Sequence, residues 1–123
     1  MRKPGDWMSK VDDRILEYIY ENRTGSPTEL ANNDYIRVSK QYISRRLREL
    51  ADHDLLEPAG NGVYLLSKKG RYYLAGAYDA QAEKFIEEEL RNYEWLILVS
   101  EEKIVKKIEK IRKRVGNSSF FNE

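Results

Sequence analysis

The chain predicts a mainly α fold carrying one small β-hairpin, and three observations lead there. Serine caps at Ser9, Ser26 and Ser39 each open a segment with helical apolar spacing. An Asn61-Gly62 pair lies between a short run that reads as an edge strand, Leu55–Pro58, and a returning run rich in strand formers, Val63–Ser67. Beyond residue 82, apolar side chains recur at helical intervals as far as Val115.

At 123 residues the chain accommodates one domain and an appendage, not two full domains. The formal charge of +1 means that affinity for nucleic acid must come from a local patch. Cysteine is absent, which excludes disulfides, thiolate-held zinc and thiol nucleophiles. Neither a signal-peptide apolar run nor a segment near the ~20 apolar residues of a membrane span occurs, so a cytoplasmic protein is expected.

Residues 1–8 form a lead-in in which Trp7 and Met8 are expected to pack into a core. The first helix starts at Ser9, with Asp12 and Asp13 in its first turn opposing the helix dipole from the helix exterior. Val11, Ile15, Leu16, Tyr18 and Ile19 supply its buried face, and Glu21–Gly25 ends it. Ser26-Pro27-Thr28-Glu29 opens a short second helix as a capping box with proline at the first helical position, directing Leu30 and Ala31 inward.

Ser39 then caps a third helix in which Ile43, Leu47 and Leu50 share one stripe. Gln41, Arg45 and Arg48 point the opposite way, Ser44 lies beside them, and Tyr42 and Arg46 flank the buried stripe. Arg37, Lys40, Arg45, Arg46 and Arg48 follow one another without an intervening acid. Arg and Gln have the fork geometry for guanine and adenine edges in a major groove, and Lys suits phosphates. The plainer reading is a surface helix whose arginines are only solvated. Two helices joined by a short turn, the second amphipathic and basic, make a helix-turn-helix. The hairpin that follows is then a wing, with Asn61 at its tip, Pro58 on an edge strand and Lys68 just past its base.

The runs Ser26–Ala31, Val38–Pro58 and Gly60–Gly70, with Trp7-Met8 before them and Tyr73-Leu74-Ala75-Gly76 after, resemble the archaeal winged helix-turn-helix regulators related to a halophage repressor, which are broadly similar to MarR-type and ArsR-type regulators. The resemblance covers about residues 6–80 and implies DNA binding and transcriptional control. It departs from halophilic members of the group, which are strongly acidic where this chain is balanced.

From Asp79 the texture changes. Residues 82–98 are expected to be helical, with Phe85, Ile86, Leu90, Tyr93 and Ile97 along one side. Ile104, Ile108, Ile111 and Val115 continue in 4-3-4 spacing, a coiled-coil seam. One helix over 82–115 would be roughly 50 Å long, more stripe than a small domain can cover. A two-fold partner could cover it, and a hairpin folding back on the domain is the alternative. Lys103, Lys106, Lys107, Lys110, Arg112, Lys113 and Arg114 read as a solvated face beside that seam.

The expected organisation is a winged helix-turn-helix DNA-binding domain over 6–80, a C-terminal helical dimerisation extension over 81–115 and a flexible tail over 116–123. Catalysis is not expected, since no phosphate loop, dinucleotide fingerprint or nucleophile elbow is present. Nor is a metal or cofactor, since the lone His53 is better placed to cap carbonyls. The expected function is sequence-specific binding of double-stranded DNA by a homodimer, as a repressor. In that reading Gln41, Tyr42, Ser44 and Arg45 approach bases, while Arg37, Ser39, Lys40, Arg46, Arg48, Asn61 and Lys68 complete the contact surface. The alternative is a winged-helix module that binds protein partners without DNA. Tyrosines and Trp95 could line a pocket for a regulatory ligand, and the sequence names no small-molecule effector.

Overall fold

The computed structural model describes residues 1–86. The expected dimerisation seam from Leu90 to Val115 and the 116–123 tail lie outside the described residues. The chain divides into two compact units, one spanning Met8–Gly70 and the other combining Met1–Trp7 with the chain from Arg71 onward.

In the first unit α1 (Lys10–Asn22), α2 (Pro27–Ala31) and α3 (Lys40–Asp52) carry the apolar stripes their spacing predicts. Ile15, Leu16, Ile19, Leu30, Ile36, Ile43, Leu47, Leu50, Leu55 and Leu56 are buried. At about 1.5–3 kcal/mol for each fully buried aliphatic side chain, this cluster is the main attraction holding the three helices together. Arg23 ends α1 with a positive φ of 77°, which lets the chain reverse at once into a strand.

That strand, β1 (Thr24–Gly25), leaves no mark in the sequence, because two residues are too few to show any alternation. It pairs antiparallel with β3 (Val63–Leu66), and β2 (Leu56–Gly60) lies on the other side, giving the order β1-β3-β2. The register sets Thr24 and Glu57 both against Leu65, on opposite sides of β3. Pro58 does fall on an edge strand, where a missing N–H costs no ladder bond. The turn is the expected one: Asn61 and Gly62 have φ of 57° and 77°, both positive as a tight hairpin requires. A register shift between Pro58 and Gly60 marks a bulge that precedes it.

Ser67 caps α4 (Lys68–Leu74), its hydroxyl accepting from Gly70 N–H at 2.9 Å while donating to the Asp54 carbonyl at 2.6 Å. Gly70 must lack a Cβ, which would overlap the Leu55 carbonyl oxygen. The helix stops at Gly76, whose φ is 82°.

In the second unit a small antiparallel hairpin joins β4 (Tyr78–Asp79) and β5 (Lys84–Phe85). Asp79 Oδ1 accepts from the N–H groups of Gln81 and Ala82, which folds the chain back. Phe85 meets Tyr72 and Tyr78 edge-on at ring separations of 5.2 and 5.1 Å. The sequence predicts helix from residue 82; over 82–86 the structure has a turn and a strand instead. Aromatic contacts and the bond from Ile86 N–H to Ala77 O override helix propensity there. Met1–Trp7 of the lead-in belong to this unit, with Ala80 N–H donating to Lys3 O at 2.9 Å and Arg2 Nε to Leu74 O at 3.1 Å. Trp7 and Met8, expected in a core, are half-buried.

Candidate nucleic-acid interface

The interface is built on α3. Ser39 Oγ accepts from Tyr42 N–H at 3.1 Å, so the cap read from sequence is formed. Ile43, Leu47 and Leu50 are each fully buried, which turns Gln41, Arg45 and Arg48 outward as an exposed row. Lys40 is exposed in the first turn, and Ser44 and Tyr42 are half-buried at the margins. The Arg45 guanidinium lies over the Tyr42 ring, 5.3 Å from its centre. Such stacking restrains an arginine that would otherwise sample many rotamers.

Arg37 is exposed before the cap and donates through Nε to the Asp34 carbonyl at 2.8 Å, which shapes the turn that leads into α3. A second arginine fixes the same turn from α1: Arg14 Nη1 donates to Tyr35 O at 2.6 Å. Asn61 is exposed at the wing tip, and Lys68 is exposed at the first position of α4. Lys69, beside it, pairs loosely with Asp54 at 3.5 Å.

Two expectations need correction. Arg46, expected beside the buried stripe and on the DNA contact surface, lies at that margin but turns inward: its side chain is 13% exposed and its planar fork is bound to Asp12, with Nε to Oδ1 at 3.0 Å and Nη2 to Oδ2 at 2.7 Å. The hydrogen bond to Asp12 raises the guanidinium's pKa above its ordinary value, against the opposing pull of burial. Asp12, in turn, is not on a helix exterior but fully buried. It also accepts from the N–H and the hydroxyl of Ser9 at the start of α1, at 3.0 and 3.2 Å. An acid in a first turn looks the same in sequence whether it opposes a dipole or receives an arginine from another helix. The one available hint was the position of Arg46 at the edge of the α3 stripe.

Glu29, the acid of the second cap, behaves differently. It is exposed, its N–H donates to Ser26 Oγ at 3.3 Å, and its carboxylate accepts from Tyr18 Oη at 2.9 Å. Partial burial, and then this carboxylate, push the Tyr18 phenol up to about 12.

The profile of the winged helix-turn-helix phage repressors matches residues 1–88. The chain belongs to that family. A solved structure described as a PhiH1 repressor-like protein from Haloarcula marismortui is 56% identical, with a TM-score of 0.69, covering 70% of this chain and 98% of that one. Comparison with curated proteins finds no match. Family membership and the exposed basic row of α3 together support a DNA-binding regulator. Among the described residues, no helix is long and apolar enough to cross a membrane.

Proposed function

We propose that this chain is a sequence-specific transcriptional repressor that binds double-stranded DNA as a homodimer. The observation that carries the reading is the exposed row Gln41, Arg45 and Arg48, backed by a fully buried apolar stripe on the same capped helix. A rigid helix with fork-shaped donors on its outer face suits major-groove edges. In this reading Gln41, Ser44, Arg45 and Tyr42 approach bases. Arg37, Ser39, Lys40, Arg48 and Lys68 hold phosphates, and Asn61 brings the wing to the neighbouring groove. Arg46 is withdrawn from that list, because its fork is already occupied by Asp12. The apolar seam Leu90, Tyr93, Ile97, Ile104, Ile108, Ile111 and Val115 supports self-association. A dimer calls for two related half-sites about one helical turn apart, or a multiple of that.

The test is retention of random-sequence duplex DNA across a salt series, with the solution mass of the same sample. A log-log slope several units below zero, at about −0.9 per neutralised phosphate, is expected together with a dimer mass. A flat slope with no DNA retained overturns the reading and favours a protein-binding module. Arg45→Ala is expected to cost about 1–3 kcal/mol at one base pair of a selected site. Equal weakening on every duplex would make Arg45 a phosphate contact instead.

A further inference from the structure

The apolar stripe of α3 holds the helix down, but apolar attraction has no direction and leaves the roll of a helix about its own axis loosely defined. Roll matters for groove reading. At about 6 Å from the axis, a 20° roll carries a surface atom about 2 Å, more than a hydrogen bond tolerates. The Asp12–Arg46 pair is directional. Its carboxylate is fixed to the start of α1 by the N–H and hydroxyl of Ser9, at 3.0 and 3.2 Å. Its two oxygens then receive the planar Arg46 fork at 3.0 and 2.7 Å. Two near-parallel bonds from a planar donor fix orientation as well as distance. Arg46 directly follows Arg45 in the exposed row, so the fork and the row turn together as one rigid helix.

We propose that Asp12 and Arg46 are positioning residues that set the roll of α3, and with it the placement of Gln41, Arg45 and Arg48, without either one touching DNA. The inference rests on the DNA-binding reading for its consequence, and on the geometry of the free protein for its cause. It makes the beginning of α1, which lies on no expected contact surface, a determinant of sequence discrimination.

The test compares wild type with Arg46→Lys, which keeps the charge and loses the fork, and with Asp12→Asn/Arg46→Met, which removes both charges and leaves no lone buried ion. For each folded protein two affinities are measured across a salt series. One is for a duplex selected from a random pool by the wild type, the other for an unselected random duplex. The expected result is a loss of roughly tenfold or more in the ratio of the two, the scale of one misplaced base contact, with an unchanged salt slope on the random duplex. An unchanged ratio beside a lowered melting temperature would make the pair a stability element only, and would overturn the proposal. Equal weakening on both duplexes with a slope shallower by about one would make Arg46 a phosphate contact, and would overturn it as well. Should the wild type retain neither duplex, the DNA reading itself fails. The roll is then judged in the free protein from the backbone amide resonances of Gln41, Arg45 and Arg48 in Arg46→Lys: shifts across the row support the lock, and unmoved resonances sink it.

Discussion

The starts of α1 and α2 use the same local device and come to opposite ends. Each opens on a serine with an acid three residues later, Ser9 with Asp12 and Ser26 with Glu29. Asp12 is fully buried and takes the fork of Arg46 from α3, whereas Glu29 is exposed and takes the hydroxyls of Tyr18 and, at 3.5 Å, Ser26. Two further serines extend the series. Ser39 caps α3 with Tyr42 at the third position, and Ser67 caps α4 with Gly70 there. The cap itself is a local matter of one hydroxyl and one amide. What the third residue contributes is set by what lies over it: another helix for Asp12, water for Glu29, an arginine on the same helix for Tyr42 and the Leu55 carbonyl for Gly70.

The sharpest way to break the contrast is to strip one partner from the buried acid. Arg46→Met should cost about 3–5 kcal/mol in urea unfolding, because a buried carboxylate is left without its counter-charge. A loss below about 1 kcal/mol would mean that Asp12 is solvated and that the two caps are equivalent. Gly70→Ala comes next, at about 1–3 kcal/mol, since the added methyl must push against backbone at Leu55 rather than against a yielding side chain. An unchanged unfolding midpoint would show that α4 can shift to admit it. Ser39→Ala isolates the cap alone and should cost about 1 kcal/mol, read as the same midpoint change plus faster amide exchange at Tyr42.

The smallest effect belongs to the exposed acid and is visible only in alkali. The Tyr18 phenol holds its proton up to about 12 in the folded chain, against an ordinary value of 10.0. A raised folded value means that the stabilisation is complete below pH 10 and is lost as pH rises from 10 towards 12. Tyr18→Phe should therefore flatten the stability profile in that window and leave neutral pH nearly unaffected, within about 0.5 kcal/mol. A large loss at pH 7 would place Glu29 in the same class as Asp12.

Much of the fold is readable from residues alone, for reasons these elements illustrate. Ile43, Leu47 and Leu50 fall on one stripe by geometry, so their burial and the exposure of Gln41, Arg45 and Arg48 follow from spacing. Asn61-Gly62 supplies two positive φ values that few other pairs adopt, so the hairpin turn is legible too. Strand β1 is not legible, because Thr24–Gly25 has no length in which to alternate and exists only because β3 offers it an edge. The strand at Lys84–Phe85 is hidden for a different reason: it lies at the head of a segment whose apolar spacing is helical, and it is held extended by pairing with Tyr78–Asp79, the Ile86 N–H to Ala77 O bond and the rings of Tyr72 and Tyr78.

The same division runs through the interface. By itself the sequence determined which residues of α3 face outward, where its cap sits and that its basic run is uninterrupted, since all three depend on neighbours within a turn or two. Only the tertiary structure decided that Arg46, next to Arg45 in a run of like charges, turns inward to Asp12, 34 positions earlier in the chain. Periodicity assigns a side chain to a face of its own helix; whether a charge at the margin of that face meets water or a buried carboxylate depends on which helix packs over it.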